Sequence, residues 1–160
     1  MMGPMAKSIR HEMPYDAPVE AVAAMLADPA FREEVCRAQG AVRHDVSVEG
    51  TTVTIDQWLP TAGVPSFAKK IVGDETNIVQ VEQWRTQTRG DIEVSIPGKP
   101  GEMKGSAWLA ESGAGTLETV ELTVKVSIPL VGGKLEGLIA DLLLKALKAE
   151  HRTGIAYLSR

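Results

Sequence analysis

The segment at residues 117–128 alternates with almost no fault. Val120, Leu122, Val124, Val126 and Ile128 are apolar, while Thr119, Glu121, Thr123, Lys125 and Ser127 are polar. Successive side chains of a β-strand point to opposite faces, so this pattern predicts a long strand with one buried and one wet face. Residues 129–133 end it at Pro129 and a Gly pair, and from Lys134 the period changes from two to 3.6. Leu135, Leu138, Ile139, Leu142, Ala146 and Ala149 then fall on one helical stripe, widened by Leu143, Leu144 and Leu147. A strand that buries one whole face needs a cover, and the helix that follows it has the apolar arc to serve.

The rest of the chain supplies more strands. Residues 8–13 alternate with Ile9, His11 and Met13 on one side, and read as a first strand. Asp16 and Pro18 start a short helix carrying Val19, Val22, Ala23 and Leu26. Asp28 and Pro29 start a second helix, with Phe31, Val35 and Ala38 in register and Gly40 as its stop. Val42, His44, Val46 and Val48 alternate outward to a turn at Glu49 and Gly50, and Val53, Ile55, Gln57 and Leu59 alternate back. Ser66 is placed to cap a helical turn over residues 67–72. Strands are predicted at 78–86, 92–96 and 103–111, separated by turn-forming residues. Short turns between consecutive strands mean antiparallel pairing, so the predicted class is α+β, with about six or seven strands and one long C-terminal helix.

Composition and motifs exclude several functions. Of 160 residues, 44% are apolar and 24% charged, which is an ordinary globular balance for one domain. A net charge of -4 provides no global attraction for nucleic acid or an anionic membrane. The most apolar stretch, residues 135–147, is interrupted by Glu136, Asp141 and Lys145, too charged and too short to span a bilayer. One cysteine, Cys36, forms no internal disulfide and reads as a small buried hydrophobe, and the chain is expected to be cytoplasmic. The three histidines sit in no metal-ligand spacing, and no phosphate loop, dinucleotide fingerprint or nucleophile elbow occurs, so no metal and no cofactor is expected.

The opening Pro18-Val19-Glu20-Ala21-Val22, leading to Leu26-Ala27-Asp28-Pro29, together with the amphipathic helix at 135–149, resembles the START-like, or SRPBCC, polyketide cyclase and lipid-transport superfamily. Within it the chain resembles a branch of unknown function found mainly in actinobacteria. The resemblance implies a helix-grip fold over residues 8–160, after a flexible segment at 1–7. In that fold a curved antiparallel sheet wraps the C-terminal helix, and two small helices close one edge. It further implies an apolar small-molecule ligand held between sheet and helix, in a cavity of roughly 300–1,000 Å³.

Strand parity and the helical stripe nominate the lining: Ile92, Val94, Leu122, Val124, Leu138, Ile139 and Leu142, with His44 as a polar contact. His11 and His44 fall on apolar faces and Glu82 shares the parity of Ile78 and Trp84, so these three are the candidate acids or bases. Trp84 and Trp108 are expected to pack outside the sheet. Three functions remain open: a carrier of an apolar molecule, an aromatase/cyclase-like enzyme using an inward His or Glu, and a non-enzymatic interaction module. The oligomeric state is not set by any of these features.

Overall fold

The computed structural model describes residues 6–160. Most of the N-terminal segment expected to be flexible, 1–7, falls outside them, and Lys7 already pairs with Val124 as the first residue of a strand. The elements in order are β1 (Lys7–Tyr15), α1 (Val19–Leu26), α2 (Pro29–Ala38), β2 (Arg43–Glu49), β3 (Thr52–Pro60), α3 (Ser66–Val72), β4 (Glu75–Thr86), β5 (Arg89–Ser95), β6 (Glu102–Ser112), β7 (Gly115–Lys125) and α4 (Gly132–Leu158). All seven strands form one antiparallel sheet in the order β1-β7-β6-β5-β4-β3-β2. Strands β2 to β7 are sequential neighbours, and α1 and α2 carry the chain from one edge strand, β1, to the other, β2. Helix α4 packs chiefly against β1, β7, α1 and α2. This is the helix-grip architecture.

Local chemistry explains most boundaries. The Asp28 carboxylate accepts from Ala30 N–H at 2.9 Å and Pro29 takes the first turn of α2, so the α1–α2 break sits at Asp28. Gly40 ends the segment with φ +88, a conformation that costs a glycine little. Several boundaries differ from expectation. Helix α1 starts at Val19 without a side-chain cap from Asp16, its free N–H groups at Ala21 and Val22 bonding to the Pro18 carbonyl. Ser66 is the first helical residue of α3 and not its cap. Strand β7 stops at Lys125, because the Val126 N–H donates to the buried Glu136 carboxylate at 2.7 Å and not to a neighbouring strand. That bond also anchors α4 to the end of β7.

Helix α4 runs past the expected end at 149 as far as Leu158. Its buried positions, among them Glu136, Glu150 and Gly154, define the face turned to the sheet. Successive helical residues rotate by about 100°. Leu143 lies on the same line as these three, so its predecessor Leu142 is rotated well off it. Leu142 is accordingly 43% exposed and not inward as its leucine stripe suggested.

Gly154 is where α4 meets β1. A methyl group there would lie 2.7 Å from Tyr15 Cε1 and 2.8 Å from its hydroxyl, whereas one on Gly137 would meet nothing within 4 Å. Adding a methyl at a packed contact costs about 1–3 kcal/mol, and replacing a mid-helix glycine by alanine gains about 0.5–1 kcal/mol. Gly154→Ala is therefore expected to lower the urea unfolding midpoint and Gly137→Ala to raise it. Two midpoints moving in the same direction would refute this seating of α4 on Tyr15.

Candidate functional site

The inner face of the sheet is aliphatic through most of its width. Ile92, Val94, Met103, Leu122 and Val124 are buried there, as parity predicts. Leu138 and Ile139 of α4 are partly buried against this core. Between Ile96, Met103, Val124, Val126 and Ile139 lies a hollow of about 10 Å³, room for about one water and far below the volume expected for a ligand cavity. A larger hollow of about 380 Å³ lies on the outer face, around Arg10, Lys104, Trp108 and Glu121. There Trp108 lies under both Arg10 and Arg89, at 5.4 and 5.5 Å, so it packs outside the sheet as expected.

Trp84 does not. Its indole N–H donates to Glu82 at 3.0 Å, and its ring lies so close over Gly90 that a Cβ there would come within 2.8 Å of it. Alternation puts Glu82 and Trp84 on one face, and only a glycine on β5 leaves space for the ring. Glu82, whose side was open from parity, faces inward and is 3% exposed.

Glu82 belongs to a charged cluster inside the protein. Arg32 of α2, 1% exposed, donates to both Glu82 oxygens at 2.7 and 3.1 Å, and its Nε donates to the Leu26 carbonyl at 2.7 Å. Gln80 donates to Glu82 as well. Glu150 of α4 stands 3.6 Å from the same guanidinium. Glu118 of β7, 2% exposed, has an oxygen with no hydrogen-bond partner among the described residues, and so has the Tyr15 hydroxyl. One guanidinium therefore faces three buried carboxyl groups drawn from β4, β7 and α4.

Burial raises the pKa of Glu118 well above the carboxylate range, and the charge of Glu150 raises it further. Burial likewise pushes Glu150 up to about 7, against the opposing pull of Arg32. Tyr15 is driven upward by burial and then by Glu118 and Glu150, so its hydroxyl stays protonated. At neutral pH the cluster holds protons that free glutamates would have lost.

The two candidate histidines do not join it. His11 lies on the inner face of β1, with Nε2 unpartnered, and burial followed by the charges of His151 and Lys148 holds its pKa below the usual imidazole value. His44 is on the opposite edge strand, β2, beside Gln57 of β3. Arg32, Glu118, Glu150 and Tyr15 were not singled out from sequence. Glu118 shares the parity of Val120 and Leu122, and Glu150 follows Leu143 and Ala146 at helical spacing, so a signal for both was present. Cys36 is buried and its thiol is pushed up to about 11, first by burial, which makes it a poor nucleophile. Among the described residues no group of three or more His, Cys, Asp or Glu side chains could hold a metal ion, and no helix is long and apolar enough to cross a membrane.

A curved antiparallel sheet gripping one long C-terminal helix is the helix-grip fold, here with a buried polar cluster at one end of the seam. Residues 10–158 match the family described as a protein of unknown function, DUF2505, and the chain belongs to that family. It is 29% identical over 126 residues to an uncharacterized protein of Mycobacterium tuberculosis, covering 74% of this chain and 70% of the relative. Three solved structures share the fold. The protein TTHA0849 of Thermus thermophilus is 20% identical with a TM-score of 0.67, covering 94% of this chain and 99% of the other. The ZhuI aromatase/cyclase of Streptomyces is 10% identical with a TM-score of 0.71, covering 97% and 94%. Norcoclaurine synthase of Thalictrum flavum is 13% identical with a TM-score of 0.67, covering 97% and 88%.

The raised carboxyl groups have a consequence for stability. A glutamate held protonated by folding contributes its full share below its ordinary value of 4.5, and that share is lost as pH rises through about 7. For Glu150 the loss is on the order of 3 kcal/mol. Urea unfolding at pH 5 and pH 8 is expected to show the native chain losing stability relative to Glu150→Gln over that interval. A difference between the two proteins that stays constant with pH would rule out the buried protonated state.

Proposed function

We propose that this protein binds an apolar small molecule between the inner face of the sheet and α4. The observation that carries this reading is the incomplete cover over the middle of α4. Leu138, Ile139, Leu143 and Leu147 are only partly buried against the core, and Ile139 borders the hollow at Val124 and Val126. The residues around it are aliphatic and give a ligand few polar partners. Helix α4 is held at its start by Glu136 on Val126, at Ala146 by a hydrogen bond from Gln39, and toward its end by Tyr15 on Gly154, so an apolar ligand enters by shifting the partly buried leucines. A bound chain of apolar atoms would wedge this seam apart and take the place of solvent against the leucines.

The other two functions have less in their favour. An aromatase/cyclase-like reaction needs a free base beside the ligand, but both Glu82 oxygens already accept hydrogen bonds, and His11 and His44 lie on opposite edge strands. An interaction module needs a contiguous apolar patch. The exposed large hydrophobics Val42, Val81, Leu130, Leu142 and Ile155 are instead scattered over β4, α4 and two loops.

Displacement of a fluorescent fatty-chain probe tests the reading. A ligand present at a hundred times its Kd stabilises the folded state by about 2.7 kcal/mol, which for a chain of this size raises Tm by roughly 5–10 °C. Ile139→Trp, which fills the seam, is expected to abolish probe binding and the Tm rise while the far-UV spectrum stays native. Absence of both binding and shift in the native chain would defeat the proposal.

A further inference from the structure

The seam between β7 and α4 has two unlike ends. At one end are Val124, Val126 and Ile139, around the apolar hollow. At the other are Glu118 on β7 and Glu150 on α4, with Tyr15 on β1 beside them. Glu118, Val120, Leu122, Val124 and Val126 follow one another along the inner face over eight residue steps, roughly 26 Å. Ile139, Leu143, Leu147 and Glu150 run alongside on α4 over roughly 17 Å. An interior with a carboxyl-lined end and an aliphatic end is complementary to an amphiphile, and the charges decide which kind.

Arg32 makes hydrogen bonds through three of its five N–H donors. Its Nε holds the Leu26 carbonyl and its two terminal nitrogens hold Glu82, leaving Glu150 at 3.6 Å and Glu118 without a partner on one oxygen. His151 packs edge-on against Tyr15 at 5.1 Å, and its Nε2 is bonded to the Pro14 carbonyl at 2.8 Å. An anionic head would meet three carboxyl groups and one guanidinium already in use. An alcohol would leave the charge count as it is. A protonated amine brings one positive charge and three N–H donors to Glu118, which has an oxygen without a partner, and to Glu150, whose one ionic contact is the 3.6 Å approach of Arg32.

We propose that the interior selects an amphiphile bearing a protonated amine, its nitrogen held by Glu118, Glu150 and Tyr15 and its apolar chain running along the β7–α4 seam toward Ile139. This rests on the apolar-ligand reading above and names the head group that reading left open. The ammonium group holds Glu118 and Glu150 as carboxylates, so binding at neutral pH expels protons from them. Tyr15, Arg32 and Glu82 are the other titratable groups facing the site, and His151 stands against Tyr15 with His11 and Lys148 beyond it.

Calorimetry with decylamine, decanol and decanoate, three probes with one chain length, tests the proposal on the full protein. Decylamine is expected to bind at least tenfold more tightly than decanol, with decanoate weakest. In Glu118→Gln/Glu150→Gln the ratio of decylamine to decanol affinity is expected to fall toward one. Titrations at pH 6.5 in two buffers of different ionisation enthalpy are expected to show proton release with decylamine and none with decanol, a readout on the native chain that needs no variant. Equal affinity for the three probes would overturn the amine assignment and leave the apolar site standing, whereas no binding of any probe would overturn both. A decylamine preference that survives the double substitution, or binding without proton release, would place the amine on the acidic surface and overturn the site.

Discussion

Arg32 is buried to 1%, and the way that one guanidinium is neutralised ties together most of the interior. A charge taken out of water needs a partner charge and a full set of hydrogen bonds. Its Nε is satisfied by Leu26, whose carbonyl is among the last of α1 and has no acceptor role left inside that helix. The break at Asp28 and Pro29 creates that free carbonyl and also starts the helix that carries Arg32. Glu82 answers the rest of the guanidinium from β4, Trp84 steadies Glu82, and Gly90 leaves room for Trp84. One ion pair thus joins α1, α2, β4 and β5, and Glu150 draws α4 toward the same point.

Much of this architecture is legible in the sequence, because its signals are periodic. Alternation in β7 and β1, the Asp28-Pro29 start and the Gly40 stop each have a local cause that survives folding. The site is less legible for a reason of the same kind. Charged side chains on helices are nearly always at the surface, so Arg32 beside Phe31, and Glu150 after Ala149, read as solvated. Their burial depends on each other and on Glu82, from elements 50 and 118 residues away from Arg32, which no local pattern encodes. Leu142 fails in the opposite sense. Leucines outvote Glu136, Glu150 and Gly154 in any hydropathy count, yet those three mark the true line of contact, and the stripe is displaced by about one residue.

The volume of the interior follows from the same facts. Around Ile139, Val, Ile and Met side chains leave a hollow of about 10 Å³, so a molecule bound there must move side chains or α4. Both ends of α4 are pinned by buried polar or close-packed contacts, while the leucines between them are incompletely covered. Interiors that are close-packed elsewhere respond to an inserted group by shifting their least constrained element.

The outer face of the sheet shows how this chain disposes of charge where only solvent is opposite. Arg10 meets Glu121, Arg85 meets Asp91 and Lys104 meets Glu102, one cation to one anion, all on largely exposed side chains. Inside, where mismatched charge costs most, the count is three carboxyl groups to one guanidinium. A buried ion pair is weak evidence for stability even when matched, and apolar side chains of equal volume are often at least as stable. Glu118 and Glu150 remain in the interior only by taking up protons, a condition that makes folding weaker as pH rises. The surface balances charge by pairing opposite side chains, whereas the interior balances its extra carboxyl groups with protons, beside a seam lined by aliphatic side chains.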